Sequence, residues 1–511
     1  MTDQAEAIAF LADPATHALE GGAVERIDTH ASCVFLAGER AFKLKRAVRY
    51  SYLDYSTVAL REAACRAEYD INRRIAPTLY LGVRAIRRRA DGSVGFDGAG
   101  ETVDWVLEMR RFETAGLFDR LAENGRLTQP MLRGLADAIV AFHAGAASVA
   151  TAGGSAGIAA VIDGNAENFR IAGEILDQTA CSRLVAAQRA SLGTCSALLD
   201  ERRARGRVRR CHGDLHLGNI CLVDGKPTLF DAVEFSEQIS CIDVLYDLAF
   251  LLMDLIHRKL GAGANFVLNR YLDLARDDDG MKAMPLFLSV RAGIRAHVAA
   301  AAAPRQRSDQ QRRLTASAAR RYLALADTLL KPATPRLVAV GGLSGSGKST
   351  LAQALAPDLL PAPGARVLRS DVLRKTLLDV APETRLPPDA YSHAMNNQVY
   401  AALLQGATRL LVAGASVVLD ATFIDLKDRA AAEQVAKNAG VPFAGLWCQA
   451  RPQVMAARLA ARRGDASDAT AAVLERQLKS DPGAMTWHRI DSGMSLGRVA
   501  AAARRAIGVP R

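Results

Sequence analysis

The sequence predicts two domains, an N-terminal α+β domain and a C-terminal α/β domain built on a parallel sheet. Three observations carry this. A length of 511 residues fits two to four domains at about 150 residues each. An Ala/Arg-rich segment from about Ala299 to Leu330 has helical composition and gives way at 331–336 to "KPATPR", whose prolines cannot continue a helix. Two loops rich in glycine and polar residues, "CHGDLHLGNICL" at 211–222 and "GLSGSGKST" at 342–350, stand on opposite sides of that break. The expected boundaries are 1–330 for the first domain, 331–336 for a linker and 337–511 for the second.

Composition narrows the class. The chain is 50% hydrophobic and 23% charged, which is ordinary for a globular protein. Its eight cysteines form no CxxC pair, an argument against a disulfide framework or zinc ribbon and for reduced thiols in the core. The acidic start has no basic region followed by an apolar one, and "LAFLLMDLIH" is broken by Asp254 before reaching the ~18 residues of a membrane span. A cytoplasmic protein without a membrane partner is expected. A formal net charge of +11 raises the question of a polyanionic partner. The arginines fall into separate clusters (84–89, 201–210, 305–321 and 458–463) with no interleaved aromatics, so solvated helix faces are preferred over a nucleic-acid surface.

The elements follow in chain order. "CVFLAGERAFKLK" (33–45) reads as a hairpin with its turn at Gly38 to Arg40, and alternation puts Lys43 and Lys45 on one face. The helical stretch "ALREAACRAEYDINRRIAP" offers Glu62 or Glu68 as an ion-pair partner, Glu68 suiting the distance to Pro77 better. "DWVLEMRRF" (104–112) reads as a strand ending at Glu108 to Arg110, with Met109 between them. In "CHGDLHLGNICL" the spacing His-x-Asp-x4-Asn is that of a phosphoryl-transfer loop, in which the aspartate serves the acceptor hydroxyl and the asparagine binds magnesium. These are Asp214 and Asn219. "PTLFDAVEF" then supplies Asp231 at a strand end, where a second metal-binding carboxylate is required. A rival reading makes Cys211, His212, His216 and Cys221 zinc ligands, but Gly213 and Gly218 favour a tight loop and the spacing matches no zinc pattern. His212 reads as a residue that orients the loop.

The second loop satisfies GxxxxGK[ST] through Gly342, Gly347, Lys348 and Ser349, between a β-branched run and a helical one. Its backbone, with Ser344, Gly345, Ser346 and Thr350 among the nucleotide-binding candidates, turns N–H groups towards phosphate oxygens at a helix N-terminus. Lys348 is expected on the β and γ phosphates and Ser349 on magnesium. "SVVLDATF" (416–423) ends a buried strand on Asp420, a second magnesium-shell candidate. Ala421 follows it where a hydrolase of the AAA type usually has a water-activating glutamate, which points away from hydrolysis and towards transfer. "RVLRSDVLRK" (366–375) runs a strand into Asp371, a base candidate, with Arg374 one turn later to steady an anionic group. The plainer alternative has Ser370 or Asp371 capping the helix. Arg458, Arg462 and Arg463 in "RLAARRGDASDA" sit at one-turn spacing on a segment suited to closing over ATP, with an exposed basic helix as the alternative.

Two resemblances rest on these residues. "GLSGSGKST", "RSDVLRK", "DATF" and "RLAARRGDASDA" together resemble the P-loop kinases related to gluconate kinase, zeta toxins and polynucleotide 5′-kinases, over about 335–500. That resemblance implies Asp371 as base and lid arginines Arg462 and Arg463 on phosphates. "CHGDLHLGNICL", "LFDAVEF" and "CIDVLYDLAFLL" resemble the aminoglycoside phosphotransferase-like branch of the bilobal protein-kinase fold, over about 25–330, with a small lobe to about 108. It implies Asp214 as catalytic base, Asn219 and Asp231 on magnesium, Lys43 with Glu68 on ATP phosphates, backbone near Met109 on adenine and Asp247 bracing the loop. One departure is that "DTHASC" (28–33) lacks the glycines expected to cover the phosphates. The module order resembles a bacterial family that fuses the two kinase types.

The expected function is ATP- and magnesium-dependent transfer of the γ-phosphoryl group to a hydroxyl of a small molecule (sugar, amino alcohol or nucleotide), at two sites. In the alternative, the first module is a pseudokinase that regulates or feeds a C-terminal small-molecule or polynucleotide 5′-hydroxyl kinase. Aminoglycosides, as polycations, want an acidic pocket; "ARDDDG" (275–280) and Asp254 offer some acid, against a basic chain.

Overall fold

The computed structural model describes residues 4–19, 22–29, 31–50, 53–461 and 466–508. Its chain forms two compact units that each draw on separated stretches: Met1–Gly157 with Asp200–Leu251, and Ile158–Leu199 with Leu252–Arg511. Packing and chain order therefore divide the molecule differently. The helical region from Leu252 to the 331–336 segment belongs to the same unit as the C-terminal sheet.

The first unit opens with α1 (Ala5–Ala12) and strands β1 (Glu25–Asp28), β2 (Ser32–Ala37) and β3 (Arg40–Lys45). A short hairpin, β4 (Arg49–Tyr50) and β5 (Leu53–Asp54), leads into α2 (Val58–Ile75), followed by β6 (Tyr80–Arg88), β7 (Val94–Phe96) and β8 (Glu101–Arg110). The sheet order is β1-β2-β3-β8-β6-β7, antiparallel throughout. Alternation along β2, β3 and β8 gives it two apolar faces. One buries Phe35, Phe42 and Leu44 against Ala7 and Leu11 of α1. The other packs Leu107 and Met109 against Cys221 and Val223. That second contact sets the 211–222 loop beside β3. Next come α3 (Phe118–Glu123) and α4 (Gln129–Gly145); α5 (Gly154–Ile171) and α6 (Gln178–Ala204) follow in the chain but lie mostly in the second unit, and the first resumes with β9 (Val208–Arg210) and the hairpin β10 (Ile220–Val223) and β11 (Lys226–Leu229). Past α7 (Glu237–Ser240), β12 (Cys241–Asp243) pairs back on β9 and starts α8 (Val244–His257).

The second unit holds α9 (Gly261–Ala275), α10 (Met284–Ala302) and α11 (Asp309–Leu329), then a parallel sheet. Its elements are β13 (Leu337–Gly342), α12 (Lys348–Leu355), β14 (Arg366–Arg369), α13 (Ser370–Leu377), α14 (His393–Val412), β15 (Val417–Asp420), α15 (Leu426–Ala439), β16 (Phe443–Gln449), α16 (Pro452–Ala461), α17 (Ala471–Leu478), β17 (His488–Asp491) and α18 (Leu496–Ala506). Strand order is β14-β15-β13-β16-β17, with β13 central. Val338, Val340, Val418 and Leu446 are fully sheathed by Leu351 and Leu355 of α12 and Val499 and Ala503 of α18. Near-continuous burial on both faces is what a parallel sheet demands.

All eight cysteines are free and buried. Among the described residues one helical stretch, Asp278–Arg305, is long and apolar enough to cross a membrane by length and composition, and 61% of its most apolar window is buried within the protein. Of the basic clusters read as helix faces, 84–88 lies on β6, and Arg202 is buried in a two-pronged pair with Asp243 at 2.7 and 2.8 Å.

Candidate active sites

In the first unit, alternation along β3 sends Lys43 and Lys45 to one side, where α2 presents Glu68. Lys43 Nζ lies 2.8 Å from Glu68 Oε1 and 2.5 Å from Asp231 Oδ1. Lys45 pairs with the other Glu68 oxygen and with Glu234, which also accepts from the Tyr55 hydroxyl at 2.8 Å. Glu62 instead makes a surface pair with Arg66 one turn away. Of the open alternatives, Glu68 is thus the glutamate at the lysines, and Lys43 is the lysine that reaches Asp231. Burial alone would lower the Lys43 ammonium, but Asp231 and Glu68 reverse this and hold it well above its usual value. Burial would raise the Asp231 carboxyl, and the Lys43 ammonium pulls it below the usual range. The Asp231 backbone is left-handed, at φ 63°, and its N–H donates to the Tyr80 hydroxyl at 2.9 Å.

The loop beneath is held from below. Asp247, at the start of α8 and fully buried, accepts from the N–H groups of His212 (3.1 Å) and Gly213 (2.9 Å) and lies 3.1 Å from His143 Nε2. His212 Nε2 donates to the Phe230 carbonyl at 2.9 Å, tying the loop to the strand that ends at Asp231. Burial outweighs the nearby aspartates and keeps this imidazole below its usual pKa, and therefore neutral. Asn219 Nδ2 donates to the Asp214 carbonyl (2.9 Å) and to Asp214 Oδ2 (3.1 Å). The Asn219 carbonyl accepts from Phe230 N, so Asn219 and Asp231 share one end of the β10–β11 hairpin. The four rival zinc ligands do not gather: the one group of three such ligand atoms among the described residues is His143, Cys211 and Asp247, and there Asp247 is occupied by the loop amides. The glycine-free β1–β2 turn closes on itself, Thr29 and Ser32 exchanging backbone and hydroxyl hydrogen bonds of 2.8 to 3.0 Å. Met109 lies inside the β8 ladder, opposite Ala41 and Tyr80, and the N–H groups of Arg110 and Arg111 donate to Leu79 and Glu39.

In the second unit, β13 hands the chain to α12 through a loop of three positive-φ glycines. A Cβ on Gly342 (φ 142°) would stand 2.6 Å from the Cys448 carbonyl, and one on Gly345 (φ 79°) 2.5 Å from that of Met455. Gly347 (φ 87°) caps α12, which begins at Lys348. Asp420 lies at the end of β15, in register with Val340 and with Arg369 of β14, and Arg369 Nε stands 3.3 Å from Asp420 Oδ2. Three buried polar atoms here, Ser346 Oγ, Asp420 Oδ1 and Arg458 Nη1, have no hydrogen-bond partner among the described residues. The other Nη of Arg458 donates to the Ser492 carbonyl at 2.7 Å. A hydroxyl, a carboxylate oxygen and one guanidinium nitrogen left over around a helix N-terminus fit a phosphate chain with its divalent cation. Ser349 is half-buried and Thr350 is exposed, turned from the loop.

Asp371 is half-buried in the first turn of α13. The capping alternative does not describe it: Arg369 is the cap residue, with no side-chain cap bond. Arg374 is committed elsewhere. It is 6% exposed, donates to the Ala390 carbonyl (2.9 Å) and Asn396 Oδ1 (2.8 Å), and stacks over Tyr391. Burial lowers its pKa, which Asp371 and Tyr391 partly offset. Arg374 thus fastens α13 to the 390–396 segment. The next residue, Lys375, is buried and pairs at 3.4 Å with Asp468, which also accepts from the Tyr391 hydroxyl and Leu386 N. Arg462 and Arg463 lie outside the described residues.

Over residues 63–284 the chain matches the model of the phosphotransferase enzyme family, and over 337–481 a model described as AAA domain. The protein of Mycobacterium tuberculosis (strain ATCC 25618 / H37Rv) named Uncharacterized protein Rv2004c is 32% identical over 477 residues, covering 91% of each chain. Uncharacterized protein Mb2027c of Mycobacterium bovis (strain ATCC BAA-935 / AF2122/97) matches equally. The chain belongs to their family. Among solved structures, a choline/ethanolamine kinase family protein from Mesorhizobium loti has a TM-score of 0.38 at 16% identity, covering 63% of this chain and 98% of that one. A gluconokinase from Sinorhizobium meliloti 1021 has a TM-score of 0.25 at 23% identity, covering 34% and 93%.

The family is thus a fusion of a phosphotransferase domain with a P-loop kinase domain, and this member is an ATP-dependent kinase. Several site features were invisible from its sequence. Tyr80 reaches the Lys43 cluster from a position with no motif, and Glu234 does so from inside "LFDAVEF", where the sequence singles out only Asp231. The acid foreseen for a polycationic substrate is already used: Asp278 pairs with Arg366 at 2.7 Å, Asp254 with Arg258 at 3.1 Å, and Asp277 is 2% exposed.

Proposed function

We propose that the chain carries two phosphotransferase sites, each passing the γ-phosphoryl group of ATP to a hydroxyl of a small molecule. The observation that supports the first site best is the meeting of Lys43, Glu68 and Asp231, from β3, α2 and the β11 end, above a loop braced by Asp247. In this reading Glu68 aims Lys43 at the phosphates, and Asp231 and Asn219 hold magnesium. Asp214, steadied by Asn219, takes the proton of the acceptor hydroxyl. Neutral His212 keeps loop and strand in register. The adenine contact expected near Met109 falls to backbone past Arg111, since the N–H groups of Arg110 and Arg111 are taken by Leu79 and Glu39.

At the second site the turn from Gly342 to Gly347 wraps phosphate oxygens with backbone N–H groups, with Ser344 and Ser346 in its wall. Lys348 spans the β and γ phosphates, while Ser349 and Asp420 hold magnesium. Asp371 takes the acceptor proton, with Arg374 fixing the helix that carries it. Arg458, and in the same spirit Arg462 and Arg463, meet the developing charge. Magnesium, when bound, neutralises phosphate charge and aligns the γ group with the incoming oxygen.

A second reading, with the first module binding nucleotide without transferring phosphate, draws on the glycine-free β1–β2 turn. The test uses the full chain with [γ-32P]ATP and a fractionated metabolite extract. Two labelled products are expected, one lost in Asp214→Asn and the other in Lys348→Ala. A single product, lost only in Lys348→Ala, would leave the pseudokinase reading.

A further inference from the structure

Strand β14 is the outer strand of the parallel sheet, and its free edge does not face solvent. Helix α9 runs along it with a polar stripe at i, i+4 and i+8: Asn265, Asn269 and Asp273. The Asn265 and Asn269 amides donate to the Ala365 carbonyl at 3.0 and 3.1 Å. Asn269 Oδ1 accepts from Val367 N at 2.7 Å and from Arg366 Nη1 at 3.2 Å. The helix thus supplies the donor and acceptor that a sixth strand would. Arg366, 4% exposed, is sandwiched by Asp273 (2.6 Å) and Asp278 (2.7 Å) from the same segment. Beyond α13, Arg270 pairs with Glu383 at 2.6 Å and Arg276 with Asp379 at 2.8 Å.

These contacts grip the chain on both sides of α13, the helix that bears Asp371. Before it, the grip is on the strand whose last residue, Arg369, faces Asp420; after it, on the turn that leaves the helix. We propose that α9 is the positioning element of the P-loop kinase site, with Asn269 and the Arg270–Glu383 pair as positioning residues that set Asp371 against the bound nucleotide. The region matched by the phosphotransferase family model, which includes α9, thereby lends a working part to the second kinase. The inference rests on the reading of Asp371 and Lys348 given above. Nucleotide binding itself rides on the 342–348 turn at the N-terminus of α12, whereas α9 meets the 356–358 turn beyond the C-terminus of that helix, so loosening α9 separates transfer from binding.

The test uses the full chain with the first site emptied by Asp231→Ala, following mant-ATP affinity, the turnover of [γ-32P]ATP and the fractionated metabolite extract into the labelled product that Lys348→Ala abolishes, and amide exchange in peptides spanning 366–378. Asn269→Ala should speed exchange there at least tenfold and lower kcat at least tenfold, with mant-ATP affinity changed less than twofold. Arg270→Glu should lower kcat similarly, and the charge swap Arg270→Glu with Glu383→Arg should restore it to within twofold; this pair answers even where Asn269→Ala fails to fold. Ser289→Ala, which breaks a buried hydrogen bond to Gln188 elsewhere in the same unit, should leave both kcat and exchange in 366–378 unchanged. Unaltered kcat in Asn269→Ala and Arg270→Glu, a swap that does not rescue, or affinity falling in step with kcat would overturn the proposal. If no labelled product is lost in the Lys348→Ala derivative, the P-loop reading fails and this inference with it.

Discussion

Replacing Glu68 with glutamine tests the first site at its most buried point. Glu68 is fully buried and shared by two ammonium groups, in a cluster of three carboxylates and two lysines that is one charge negative overall. Glutamine keeps the shape but leaves Lys43 and Lys45 to Asp231 and Glu234. Breaking a buried pair costs about 3–5 kcal/mol. The remaining carboxylates still answer both lysines, so the low end, about 3 kcal/mol, is expected, a fall of roughly 6–12 °C in the melting of a unit this size. Glu62→Gln, which touches only an exposed pair with Arg66, should cost at most about 0.5 kcal/mol. Thermal unfolding of the full chain reads both, with mant-ATP binding in a Lys348→Ala background reporting the first site alone. Glu68→Gln should weaken that binding at least tenfold, because Lys43 loses the carboxylate that aims it. Equal effects of the two substitutions would refute the reasoning and return Glu62 to consideration.

Other outcomes follow from the same geometry. Gly345→Ala, which forces a Cβ against the Met455 carbonyl at positive φ, should cost P-loop nucleotide affinity about 5- to 150-fold, since such strain is worth about 1–3 kcal/mol; calorimetry with Asp231→Ala in the background measures it. Asp371→Asn should leave that affinity within twofold and reduce transfer by about 10² to 10⁴, the usual worth of a base. His212, whose folded pKa is depressed, contributes stability that is present above about pH 6.5 and lost as pH falls through its folded value. Asp231, also depressed, adds a second loss of the same sign below about pH 4. Lys43, held high, loses its contribution only as pH rises past its folded value. Protection of the 211–219 amides, corrected for their intrinsic exchange rates, should therefore begin to fall as pH drops below about 6.5, and His212→Gln should remove that onset.

The P-loop was legible because its chemistry is contiguous: glycines at positive φ, a lysine and a hydroxyl within nine residues, between a strand and a helix. Asp214, Asn219, Asp231 and Asp247 were legible by spacing, since one hairpin and one helix start place them. The lysine and glutamate alternatives needed the fold, because alternation puts Lys43 and Lys45 on one face but does not say which reaches the β11 end. Arg374 shows the limit of spacing: it is one turn from Asp371 as expected, yet both its Nη atoms are taken by a carbonyl and an amide that sequence does not bring near. The two compact units and the α9 edge were illegible for a related reason. Asparagines at 265 and 269 carry no motif, and their partners lie about a hundred positions away.

The most direct measurement of two sites in one chain is the stoichiometry of Mg-ATP binding by calorimetry on the full-length protein. The account predicts two nucleotides per chain, one in Lys348→Ala, one in Asp231→Ala and none in the double variant. A single nucleotide per chain, abolished by Lys348→Ala and indifferent to Asp231→Ala, would contradict it.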